Sequence, residues 1–156
     1  MNISAQLAKH IKEVFFGGNW TCVNLKDTLN GITWQQATAK VHQCNTIAAL
    51  VYHIGYYVTA INRVLNGAPL EAHDKYSFDH PPIQSQEDWE QLVSKTWQEA
   101  EICVALAGQL PDSGLSEIFV QDKYGTYHRN LLGLIEHTHY HLGQIVIIKK
   151  ILQPLE

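Results

Sequence analysis

Residues 47–65 carry the strongest constraint in the chain. Ile47, Leu50, Ile54, Val58, Ile61 and Leu65 recur at three- and four-residue spacing, which makes one continuous stripe on an α-helix and no consistent face on a strand. Asn45 or Thr46 can cap this helix, and Asn66-Gly67 closes it with Pro69 just beyond. A helix with one apolar face must bury that face against another element. Three further segments show the same recurrence. One runs from about Ile3 to Phe16 through Leu7, Ile11, Val14 and Phe15. Another begins at about Ser85, passes through Trp89, Leu92, Trp97, Ala100 and Cys103, and ends at Pro111 and Gly114. The last runs from about Asn130 to Leu152. Strand signal is slight, so the expected fold is all-α, an up-and-down four-helix bundle forming a single domain over residues 1–156.

The connections are less regular. Gly17-Gly18-Asn19 interrupts the first helix as a C-cap would, and Trp20 to Leu29 reads as a second helical piece or an extended link. Asn30-Gly31 is a turn signal, and Thr33 is placed to cap a short helix starting at Trp34. Residues 68–84, with Pro69, Pro81 and Pro82, read as a long loop. Loops of that length in a compact domain are often functional, and His73 and His80, beside Asp74 and Asp79, are candidates for a pocket mouth. From Glu117 to Tyr127 a loose alternation around Gly125 favours a short hairpin or an irregular excursion ahead of the last helix.

That last helix has apolar residues on two sides: Leu134, Ile145 and Ile148 on one, Leu132, Ile135, Leu142 and Val146 on the other. Both faces need burial, and a homodimer is the economical way to bury the second. Composition narrows the partners further. Net charge is −4 and no Lys/Arg block occurs, which disfavours nucleic acid held by phosphate neutralisation. Cys22, Cys44 and Cys103 lie far apart and form no disulfide framework. Neither a signal peptide nor a membrane-length apolar run is visible, so a soluble cytoplasmic protein is expected.

The chemistry lies in His137-Thr138-His139-Tyr140-His141. His137 and His141 stand at i and i+4, about 40° apart on a helix, so both rings can point at one ion. Gln144 and Ile148 continue their face. His53 lies roughly 60° from Leu50 in the 47–65 helix, obliquely toward a bundle interior. Together the three offer imidazole nitrogens from facing helices with a fourth position open, a catalytic arrangement for zinc. Imidazole also suits nickel, copper and iron. The plainer alternative is three satisfied core-edge histidines; it is the better reading of His53 taken alone and about an even match for the pair. Glu136-x-x-His139 occurs once, whereas a di-iron bundle needs two copies, and His-Glu-x-x-His is absent. Glu136 and His139 face away from the pair. His10, His42 and His128 have no partner at ligand spacing. Tyr52 and Tyr56 read as packing, and Tyr57 lies near the His53 face as a possible pocket residue. Gln144 is placed to bond a ligating imidazole or simply to cap the polar end of the interior.

The run Glu136 to Ile145, with histidines at i,i+4 followed by a residue and then Gly143-Gln144, resembles the last-helix signature of the DinB-like family, which includes YfiT-like thiol transferases. Tyr124 to Leu132 resembles the approach to that helix, and Leu50-Val51-Tyr52-His53-Ile54 resembles the family's second-helix motif. The resemblance implies a metal triad of His53, His137 and His141 holding zinc or nickel, and often a dimer. For function it implies a metal-dependent S-transferase using a low-molecular-weight thiol, or a hydrolase, acting on a small-molecule substrate. The other expectation is a non-catalytic metal-binding or small-ligand-binding dimeric stress-response protein. No carboxylate is placed by spacing as a general base.

Overall fold

The computed structural model describes residues 2–153. Among the described residues there are six α-helices and three short 3-10 helices, and no strand. They are α1 (Ile3–Phe16), α2 (Leu25–Leu29), α3 (Trp34–Thr38), α4 (Ile47–Leu65), α5 (Gln86–Gln109) and α6 (Tyr127–Leu152). Each starts where a side chain satisfies a free backbone N–H. Asn2, Asn24, Thr33, Thr46, Ser85 and Thr126 all accept from the third residue along. At Thr33 the cap is reciprocal, because Gln36 also accepts from the Thr33 N–H. The Trp20–Leu29 link resolves as an irregular stretch followed by α2.

The four long helices close a ring of contacts in which α1 packs on α5 and α6, and α4 packs on α5 and α6. Chain order does not set ring order. The segment 17–46, carrying α2 and α3, takes the chain from α1 across to α4, and 110–126 takes it from α5 across to α6. Both connections are anchored. Trp89 is buried and donates from Nε1 to the Ile32 carbonyl at 3.0 Å, and Lys149 Nζ donates to the Thr28 and Asn30 carbonyls. Asp112 crosses from the far connection to accept from the Ile3 and Ser4 N–H groups.

The core lies between the long helices: Ile11, Val14 and Phe15 of α1, Leu50, Ile54 and Val58 of α4, Ala100 and Cys103 of α5, and Leu131, Leu142 and Ile145 of α6. Small residues let α4 and α5 approach closely. At Gly55 a Cβ would stand 3.2 Å from the Thr96 hydroxyl. Burial of Cys103 pushes its thiol up to about 12, so it is inert core, and all three cysteines are free.

Two expectations are revised. The face assigned to Leu132, Ile135, Leu142 and Val146 is not one exposed face. Leu142 is 2% exposed in the core, and Ile135 and Val146 pack against it. The apolar residues that α6 leaves in water are Tyr140, Ile147 and Ile151, with Leu132 apart from them. The last helix also begins three residues earlier than Asn130, because Thr126 caps it. The excursion before it holds a single antiparallel bridge between Ile118 and Thr126, with a 3-10 turn at Asp122–Tyr124 inside it. Among the described residues, no helix is long and apolar enough to cross a membrane.

Candidate metal centre

His53 lies in the second turn of α4, and His137 and His141 lie on successive turns near the middle of α6. Where these helices pack, the three imidazoles converge. Ring centroids are 4.8 Å apart for His53 and His137, 4.6 Å for His53 and His141, and 4.5 Å for the pair on α6. Their candidate ligand nitrogens all lie within 4.8 Å of one another, close enough to hold a metal ion. His53 Nε2 and His137 Nε2 are 2.9 Å apart. Nitrogens around a tetrahedral zinc sit roughly 3.3 Å apart, so only a small ring movement separates the two arrangements. Among the described residues, no fourth imidazole, thiolate or carboxylate joins the group.

In two of the three rings the surrounding hydrogen bonds set which nitrogen carries the lone pair. The Ser77 hydroxyl donates to the Asp74 carbonyl at 2.7 Å, which uses its one proton. Ser77 Oγ, 2.9 Å from His53 Nδ1, must therefore accept from that nitrogen. His141 Nδ1 stands 2.7 Å from Gln144 Oε1, an acceptor, and so is also protonated. In both rings Nε2 is left with its lone pair, the form a metal ligand requires. His137 has no such partner: its Nδ1 is buried without a hydrogen bond.

Electrostatics favour the same form. Burial, with the neighbouring imidazoles adding to it, lowers His53 and His137 to about 4, and burial also lowers His141. All three are neutral at pH 7. With its Nδ1 unpartnered, neutral His137 donates from Nε2 to the His53 Nε2 lone pair at 2.9 Å, and a cation that takes the place of that proton would be held by all three rings.

The 68–84 loop closes one side of the cluster. Phe78 stacks on His53 with centroids 3.8 Å apart and planes 7° from parallel, and Ser77 is buried beneath it. Tyr57 stands edge-on to His53 and to His137, each at 5.1 Å. Its hydroxyl donates to the Asp74 carboxylate. Burial and that carboxylate push the phenol up to about 12, so Tyr57 remains a neutral donor. Ser77, Phe78 and Asp74 are functional candidates that spacing could not reveal, since they meet His53 only through the fold; the length of their loop was the available signal. The loop's own histidines do not join the group. His80 bonds the Pro81 carbonyl and His73 packs on Tyr76. On α6, His139 is half-buried and stays outside the group, and Glu136 is exposed.

Two cavities flank α4. One of about 400 Å³ lies between α4, α5 and the loop, and reaches none of the three histidines. The other, about 600 Å³, runs between α4 and α6 and is lined by both Tyr57 and His137. Adjacency to the donor set, rather than enclosure, marks the second as the approach to the site. No family model matches the chain, and comparison with curated proteins and with solved structures likewise gives no match.

Proposed function

We propose that the protein is a metal-dependent enzyme acting on a small molecule, built as a four-helix bundle of the DinB-like kind. One observation carries the reading: His53, His137 and His141 converge with the Nδ1 atoms of His53 and His141 both tied off, so that their Nε2 lone pairs face a common point. Zinc or nickel is the proposed ion, since a neutral three-imidazole set suits either. A divalent cation there supplies a Lewis acid that lowers the pKa of a small thiol or of water and prepares a nucleophile near neutral pH. S-transfer from a low-molecular-weight thiol is the first proposed reaction, and hydrolysis is the second.

The chain's own residues orient and enclose. Ser77 and Gln144 hold two rings in their ligating tautomer. Phe78 covers one face of His53 and limits water there. Tyr57 presents a phenol at the edge of the cluster, fixed by Asp74. The second partner of the reaction enters through the cavity that reaches His137.

The alternative, a non-catalytic dimeric metal- or ligand-binding protein, draws on the exposed Tyr140, Ile147 and Ile151 of α6. We take a homodimer through this stripe to be compatible with either reading.

Elemental analysis of the purified protein tests the proposal. The expected result is about one equivalent of zinc or nickel per chain, lost in His137→Ala and His141→Ala while helical circular dichroism is retained. Wild-type protein with only trace metal, and none taken up on addition, overturns it. Thiol conjugation to model electrophiles, assayed with and without chelator, then separates enzyme from binding module.

A further inference from the structure

We propose that the cavity beside His137 takes a small amphipathic anion, whose carboxylate or phosphate is held by Arg129 and Lys123 and whose apolar stem leads to the histidine cluster. The proposal rests on the metal-centre reading and names the substrate class for it.

The charges come first. The chain carries a net charge of −4, yet this cavity is lined by Lys123 and Arg129 against one carboxylate, Glu136. Among the described residues, no acid forms an ion pair with Arg129 or Lys123. Neither cation has a carboxylate partner, Lys123 Nζ lying over the Tyr124 ring at 4.8 Å, and an oxyanion in the hollow is attracted to both. The arginine fork matches carboxylate and phosphate oxygens with paired N–H donors. The first turn of the 26-residue α6, from which Arg129 and His128 project, adds partial positive charge of the same sign.

The wall is also built rather than loose. Asn130 Nδ2 donates to the Tyr124 and Thr126 carbonyls at 2.9 and 2.8 Å, tying the 3-10 turn to the helix. Phe119 donates to the Gly125 carbonyl and Tyr127 to that of Glu117 across the bridge. Gly125, at φ +72°, lies under Arg129, and a Cβ there would come within 2.7 Å of Arg129 Cδ. The absent side chain leaves room for Arg129 as it lies here. Between this cationic end and His137 the lining includes Ile61, Leu134 and the Tyr57 ring, with Glu136 beside His137. A ligand that fits both parts has a charged head, an apolar stem and its reactive end at the histidines.

The test uses full-length metal-loaded protein at low salt, with 3-phenylpropionate, phenyl phosphate and neutral 3-phenylpropanol as probes, followed by calorimetry and by the Arg129 Nε–Hε NMR signal. At least one anion is expected to bind about tenfold tighter than the alcohol, and Arg129→Gln and Lys123→Gln should each remove that preference without changing metal content. The tighter of the two anions identifies the headgroup as carboxylate or phosphate. His137→Ala, which strips the metal, should leave anion binding in place, so a failed metal reading and a failed anion reading give different results. Equal binding of the alcohol and both anions, or unchanged anion binding in both charge variants, overturns the proposal.

Discussion

Ser77 shows how one hydroxyl sets the state of a ring 24 residues away along the chain. Because its proton goes to Asp74, it accepts from His53 and fixes the lone pair on Nε2. Ser77→Ala removes that constraint, and metal affinity should fall on the order of 10–100-fold, read by competition with a chromophoric chelator while helix content stays constant. The same imidazoles make metal-free stability depend on pH. His53 and His137 are held to about 4 in the folded chain, against an ordinary value of 6.5. Between those values the unfolded chain binds more protons than the folded one, so stability falls as pH drops from 6.5 toward 4 and is level above 6.5. Thermal melts of chelated protein should show that slope. A melting temperature flat across the window would mean that the imidazoles are not held neutral.

At the scale of elements, what was legible in the sequence was local. Thr33, Thr46 and Ser85 cap helices within a turn of where their hydroxyls fall, because a cap involves only four consecutive residues. The 47–65 stripe is equally self-contained. The start of α6 was not legible, since Gly125 reads as a loop residue and conceals that Thr126 already caps a helix. Leu142 was placed on the wrong face because it sits one residue from His141, about 100° round the helix, where the core proves wide enough to include it. The Asp112 carboxylate that serves the start of α1 comes from more than a hundred residues away, and no local pattern carries that. Gly125 provides the element-scale test. It combines φ +72° with ψ −153°, a region open to glycine almost alone, and a Cβ would also strike Arg129. Gly125→Ala should cost about 1–3 kcal/mol in urea denaturation and disturb the turn before α6 without removing metal.

For the molecule as a whole, the exposed stripe of α6 is a feature that its own fold does not explain. Tyr140 is 66% exposed and Ile147 61%, on one side of a helix whose other side is core. If two copies pair through it, Ile147→Glu buries a charge in the interface and yields monomers by light scattering at micromolar concentration, with metal content intact. The histidine pair was legible because i,i+4 spacing is short-range. Its union with His53 depended on which helices are neighbours, which the ring order decides. That union has a mechanical side. The His53–His137 contact spans 84 residues of chain, so an ion shared between them is a clasp joining the two halves of the polypeptide. Stripping it should speed amide hydrogen exchange along the α4–α6 seam while the α1–α5 seam stays protected. If an ion binds there, metal supply would govern how firmly the two halves are fastened.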